Sequence, residues 1–250
     1  MSDQPISAEH LAELQRHIDD GGHTSFTQQP GAVTKDEGGW IPILSSHGPY
    51  ELQLLGFDGP ADVIATDGAR DSEAEPSVGV WAAVHADGSA RFGWYRAEHT
   101  SALSVELEAL QRGLGGCPAD SQVTALSDSK VAVDIAQRLR SGVAIRRVPL
   151  GCLHRESVVG LKDQSRRRVV TFRHIPGEKT ANKYFPRHAL LGPADRLAWV
   201  VLQFVRDDID PLDASAKRWL VERTASGPRD RNALRRYREW LLEAGRIAEG

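Results

Sequence analysis

The sequence predicts an α/β protein in which a mixed sheet carries helices packed on it. Three observations lead there. Residues 62–96 hold a short apolar run followed by a hairpin pattern. Residues 101–206 then alternate helical and strand periodicity. The resulting order, β-β-β-α-β-α-β-α, joins hairpin-linked strands to αβ units, and only a mixed sheet accommodates both.

Each element follows from its residues. Residues 7–19 read as an amphipathic helix, with Leu11, Leu14 and Ile18 on one stripe and Gly21-Gly22 as its stop. Residues 21–39 are polar and glycine-rich, a loop or linker. The stretch WIPILSSHGPYELQLLGF supplies one or two short strands around a His47-Gly48-Pro49 turn. DVIATDGAR is a short strand that ends at Asp67-Gly68. In SVGVWAAVHADGSARFGWYR, Val78, Val80, Ala82 and Val84 alternate, Asp87-Gly88 turns the chain, and Phe92 and Trp94 return. Leu103, Leu107, Leu110 and Leu114 mark a helix over 101–114. VTALSDSKVAVDIAQRL is a strand followed by a helix with Val131, Ile135 and Leu139 on its stripe. RRVVTFRHI is the next strand, and GPADRLAWVVLQFV a strongly apolar helix. Beyond Pro211 come two basic amphipathic helices broken at Gly227-Pro228; Trp219, Trp240 and Leu241 are expected to pack them onto the main domain. The chain therefore divides into an N-terminal extension (1–60), a catalytic-type α/β domain (61–210) and a basic helical extension (211–250).

Composition narrows the class. A hydrophobic share of 40% and a charged share of 26% are those of a soluble globular protein, with no apolar run near the roughly 20 residues that span a bilayer. The N-terminus carries acids and lacks the basic, apolar pattern of a signal peptide. Cys117 and Cys152 have no paired-ligand spacing and read as reduced thiols of a cytoplasmic protein. Net charge is −3, yet residues 137–189 hold 13 Lys+Arg against 3 Asp+Glu, and residues 214–250 hold 9 against 5. So sharp a separation suits a face turned toward a polyanion.

The acids carry the chemistry. Asp128 stands where a strand gives way to a helix, and taken alone it is placed to cap that helix. Asp67 also ends a strand, with Gly68 after it. Glu106 lies one turn into a helix, off its leucine stripe, and Asp195 lies in the first turn of the last apolar helix. If the first and fourth strands of the 61–210 domain are neighbours, Asp67 and Asp128 emerge side by side. The flanking helices then bring Glu106 and Asp195 over the same point. Four clustered carboxylates need a cation, and hard divalent ions take oxygen ligands. Two such ions about 3.5–4 Å apart activate a water and stabilise the leaving oxygen in phosphodiester hydrolysis.

TDGA at 66–69, VELEAL at 105–110, SDSK at 127–130 and HIPGEKTANK…ADRLA at 174–198 resemble the ribonuclease H family in order and spacing. The resemblance covers about residues 62–206. It implies a ribonuclease H-like fold with a five-stranded mixed sheet flanked by helices. It also implies hydrolysis of the RNA strand of RNA–DNA hybrids, leaving 5′-phosphate and 3′-hydroxyl ends. Asp67, Glu106, Asp128 and Asp195 would hold two Mg²⁺, with Mn²⁺ as a possible substitute. His174 matches the family's histidine that aids proton transfer or product departure, and Asn182 its loop asparagine. Glu106 is preferred to Glu108 because ELEA matches the family's Glu-Leu-x-Ala. On a helix Glu108 lies roughly 200° away and is expected to face solvent.

Two departures stand out. His174 and Asp195 are 21 residues apart, where the family has a short loop, and His188 in that interval rivals His174. Residues 141–168 hold no tryptophan, so a basic platform is expected there in place of a Trp-bearing basic helix. Arg146, Arg147, Arg166, Arg167 and Arg168 would neutralise phosphates without reading bases. Lys179 and Lys183 would join them, and Gly68, Ser129 and Asn182 would contact the hybrid across its minor groove. The alternatives are a nuclease of this fold acting on a DNA junction or single strand, and a non-catalytic nucleic-acid-binding module.

Overall fold

The computed structural model describes residues 40–143, 153–175, 190–225 and 233–243. Among them, six strands form one open mixed sheet: β1 (Ile43–Gln53), β2 (Val63–Asp71), β3 (Ser77–His85), β4 (Ser89–Ala97), β5 (Gln122–Ser127) and β6 (Val169–His174). The order across the sheet is β1-β4-β3-β2-β5-β6. The helices are α1 (Ala102–Gly115), α2 (Lys130–Arg140), α3 (Arg155–Arg166), α4 (Leu191–Arg206), α5 (Ala214–Ala225) and α6 (Ala233–Glu243). None of them is long and apolar enough to cross a membrane.

β2, β3 and β4 pair antiparallel, as the hairpin pattern requires, while β2–β5 and β5–β6 pair parallel. The expected neighbours, the strands of Asp67 and Asp128, are thus adjacent. The β3–β4 turn forms at Asp87-Gly88, where Gly88 takes a positive φ of 85° and Asp87 Oδ1 accepts from the Ser89 amide at 2.9 Å. The sheet has one strand more than the five expected. Residues 43–53 form a single strand on the edge of β4, and His47-Gly48-Pro49 is an irregularity within it, not a turn between two strands. The α/β unit therefore starts near residue 40, ahead of the 61 read from the sequence.

Both sheet faces are covered. On one, Ala65, Val80, Ala82, Phe92 and Leu126 pack under α4, and α5 and α6 extend the same core through Trp219, Leu220, Tyr237 and Leu241. Trp219, Tyr237 and Trp240 surround Phe204 at ring separations of 5.5–6.1 Å. The C-terminal helices are packed onto the domain, as their aromatic residues suggested. On the other face, Ile64, Val123, Ala125, Val170 and Phe172 pack under α1, α2 and α3. Ile135 and Leu139 of the expected α2 stripe are buried, as are Ala132, Val133 and Ala136, but Val131 is 56% exposed. Within the 141–168 interval, residues 155–166 form the helix α3, an element the sequence reading did not assign. The 7–19 helix, the 21–39 linker and the Gly227-Pro228 break lie outside the described residues.

Candidate metal centre

The parallel pairing of β2 with β5 is what builds the site. Ala65 faces Leu126 in that ladder, so Asp67 and Asp128 stand at matching heights two residues further along each strand. β5 ends at Ser127, leaving β2 open on that side beyond Ala65. By strand alternation Asp67 shares the face of Ala65, under α4, and Gly68 turns toward α1. A Cβ on Gly68 would lie 2.7–2.8 Å from Val105, so only glycine lets α1 approach this closely. That approach delivers Glu106, the next residue along α1.

Carboxylate oxygens of Asp67, Glu106 and Asp128 all lie within 4.8 Å of one another, with Asp67 buried, Glu106 half-buried and Asp128 exposed. Glu106 Oε2 is buried with no hydrogen-bond partner. Burial pushes Asp67 well above the usual carboxylate range, and the charges of Glu106, Asp195 and Asp128 add to it. Glu106 is pushed up to about 8, first by burial and then by the charge of Asp128; the Asp67 carboxyl and the Gly68 amide act in the opposite sense. Burial also raises Asp128, partly offset by a hydrogen bond from its own backbone amide and then by His174. Asp195, from the first turns of α4, lies outside the 4.8 Å set but within range to act on both Asp67 and Glu106. The cluster thus resists full ionisation and leaves a buried oxygen unpaired, two strains that an oxygen-seeking divalent cation relieves together. An all-oxygen donor set of this kind suits a hard divalent cation.

Asp128 is not the helix cap. Ser129 caps α2, its hydroxyl accepting from the Ala132 amide at 3.3 Å. The buried Ser127 hydroxyl accepts from the Ser129 amide at 3.1 Å, which shapes the turn that presents Asp128. His174 ends β6 opposite Ser127, exposed, with Nε2 3.1 Å from the Asp128 carbonyl oxygen.

Glu108 corrects the sequence reading. It does lie on the other side of α1 from Glu106, but that side meets α3, so Glu108 is 1% exposed. Arg112 Nε donates to its Oε1 at 2.8 Å and Ser157 Oγ to its Oε2 at 2.5 Å. Burial opposes its charge, yet the neighbouring Arg112 guanidinium and these bonds hold its pKa below the usual value. The helix α3 was not anticipated, so nothing in the sequence supplied the surface that buries Glu108.

The arginine triplet lies away from the acids. Arg166, Arg167 and Arg168 precede β6, whose far end carries His174, so the length of that strand, roughly 20 Å, separates them from the acids. Arg168 is also engaged, donating through Nε to the Cys117 carbonyl at 3.1 Å and through Nη1 to Gln164. Cys117 itself is a buried free thiol. Arg146, Arg147, Lys179, Asn182, Lys183 and His188 lie outside the described residues. Ser127 and the packing role of Gly68 were missed; the signal available was the pairing of small residues with each acid, in TDG and SDS.

No protein-family model matches this chain, and no curated protein matches it significantly.

Proposed function

We propose that the chain is a metal-dependent endoribonuclease of ribonuclease H-like fold that hydrolyses the RNA strand of RNA–DNA hybrids. The observation that carries this reading is the convergence of Asp67, Glu106 and Asp128 within 4.8 Å, with the Glu106 Oε2 atom unpaired. The four-motif resemblance and the adjacency of the two aspartate strands support the choice of family and substrate.

Asp67, Glu106, Asp128 and Asp195 would hold two Mg²⁺ or Mn²⁺ ions. When bound, such a pair supplies an activated water and a counter-charge for the leaving 3′ oxygen. The chain's own groups do the rest. The raised pKa values of Asp67 and Glu106 mean that binding a cation there would be accompanied by proton release. His174 donates Nε2–H to the Asp128 carbonyl in the tautomer that this contact requires, leaving Nδ1 free to take or pass a proton beside the acids. The exposed position of that ring suits departure of a charged product. Basic residues of 137–189 would hold phosphates, making binding salt-sensitive and largely indifferent to sequence.

The test compares strand-labelled substrates under Mg²⁺: an RNA–DNA hybrid, duplex DNA, single-stranded RNA and a four-way DNA junction. The reading expects cutting of the RNA strand of the hybrid alone, with 5′-phosphate products. Preferential cutting of the junction or of duplex DNA would assign another substrate. Salt-sensitive binding without cutting of any substrate would leave a binding module.

A further inference from the structure

We propose that Glu108 is a positioning residue for the metal centre: its carboxylate, clamped between α1 and α3, fixes the rotation of α1 that brings Glu106 to Asp67 and Asp128. The inference rests on the proposed reading of those three acids as metal ligands.

Glu106 and Glu108 lie two residues apart, roughly 200° around α1. One faces β2 and the other faces α3, so any roll of the helix that frees one displaces the other. Both oxygens of Glu108 are used. Oε1 takes the Arg112 Nε–H from the next turn of the same helix, and Oε2 takes the Ser157 hydroxyl from α3. Close packing holds the same pair of helices together, since a Cβ on Gly160 of α3 would lie 2.9 Å from Gln111 of α1. The anchor is itself anchored. The fully buried His154, just ahead of α3, has Nδ1 2.9 Å from the Ile41 carbonyl, and the Ile41 amide donates to the Leu153 carbonyl at 3.1 Å. On its opposite side α1 rests on β2 at Gly68, so the helix is fixed from two directions.

A buried ion pair is a poor source of net stability, because apolar side chains of similar volume usually serve as well. What it adds is direction: Arg112, on the same helix, orients the carboxylate, and the single Ser157 bond to α3 then favours one rotation, whereas apolar contact tolerates several. Groups that orient a ligand in this way typically change metal affinity by about 10- to 100-fold when removed.

The experiment measures Mn²⁺ binding to the full chain by calorimetry, with thermal unfolding in EDTA as the control for folding. Three variants separate orientation from stability. Glu108→Gln keeps both contacts, its carbonyl accepting from Arg112 and its amide donating to Ser157 Oγ, and should bind within about twofold of wild type. Ser157→Ala cuts only the tether to α3 and should weaken binding several-fold while the protein stays folded. The double variant Glu108→Met/Arg112→Met removes both charges; it should unfold near the wild-type temperature yet bind Mn²⁺ about tenfold more weakly. Wild-type affinity in folded Ser157→Ala or in the folded double variant overturns the positioning role and leaves the metal reading intact. Failure of the wild-type chain to bind Mn²⁺ overturns both.

Discussion

Glu106 is the residue whose chemistry is most exposed to test. Its carboxyl is ionised at an ordinary value of 4.5 in the unfolded chain and near 8 in the folded, metal-free protein. Between those values the folded state keeps a proton that the unfolded state has released, so stability falls as pH rises through this window. Thermal unfolding in EDTA should therefore show a melting temperature that declines from about pH 5 to pH 8. Glu106→Gln, which has no proton to lose, should flatten much of that decline and abolish Mn²⁺ binding. A wild-type melting temperature that rises across the window would contradict the assignment. Gly68→Ala acts on the same carboxylate by geometry. The added methyl meets the Val105 backbone, α1 must withdraw, and Mn²⁺ affinity should drop at least tenfold in a protein that still folds. At this scale the sequence was informative about which acids converge, although β2 runs on to Asp71 and does not end at Asp67 as its pattern suggested. It was misleading about Glu108 and silent about Ser127, since both owe their roles to neighbours distant in sequence.

Elements decide which polar residues are free for function. Ser129 caps α2 and Arg168 ties the end of α3 to the Cys117 carbonyl, so both have structural work apart from any contact with nucleic acid. Ser129→Ala should cost about 1 kcal/mol in denaturant unfolding. Arg168→Ala should lower the melting temperature while leaving the salt dependence of hybrid binding unchanged; a shallower salt slope would return Arg168 to the phosphate contacts. The strands and apolar helices were legible because their periodicity is strong. The helix α3 was not, since RESVVGLKDQSR carries charge, a mid-helix glycine and only three large apolar side chains. Its helical state follows from packing on α1 more than from its own pattern. The exposure of Val131 at the start of α2 has a similar origin: the buried face there is made by Ala132, Val133 and Ala136, whose fit depends on the neighbouring elements.

For the molecule as a whole, β1 continues the sheet and the C-terminal helices continue the apolar cluster on one of its faces. β1 pairs along β4, and Trp219, Leu220, Tyr237 and Leu241 belong to the same apolar cluster as Val80 and Phe92. Removing residues 211–250 would expose Phe204 and its neighbours, so the truncated chain should lose cooperative unfolding or aggregate, whereas independent domains would leave the remainder's transition unchanged. Such joints are hard to read from sequence, because a basic amphipathic helix shows its apolar face but not the partner that covers it. The central claim is the proposal that this sheet presents a metal centre that cuts RNA paired with DNA. Single-turnover cleavage of a labelled RNA–DNA hybrid by wild type and Asp128→Asn, in Mg²⁺, Mn²⁺ or EDTA, tests it most directly. Cutting of the RNA strand by wild type that requires a divalent cation and is lost in Asp128→Asn is the predicted result. Cutting that persists in EDTA or in the variant would contradict the account.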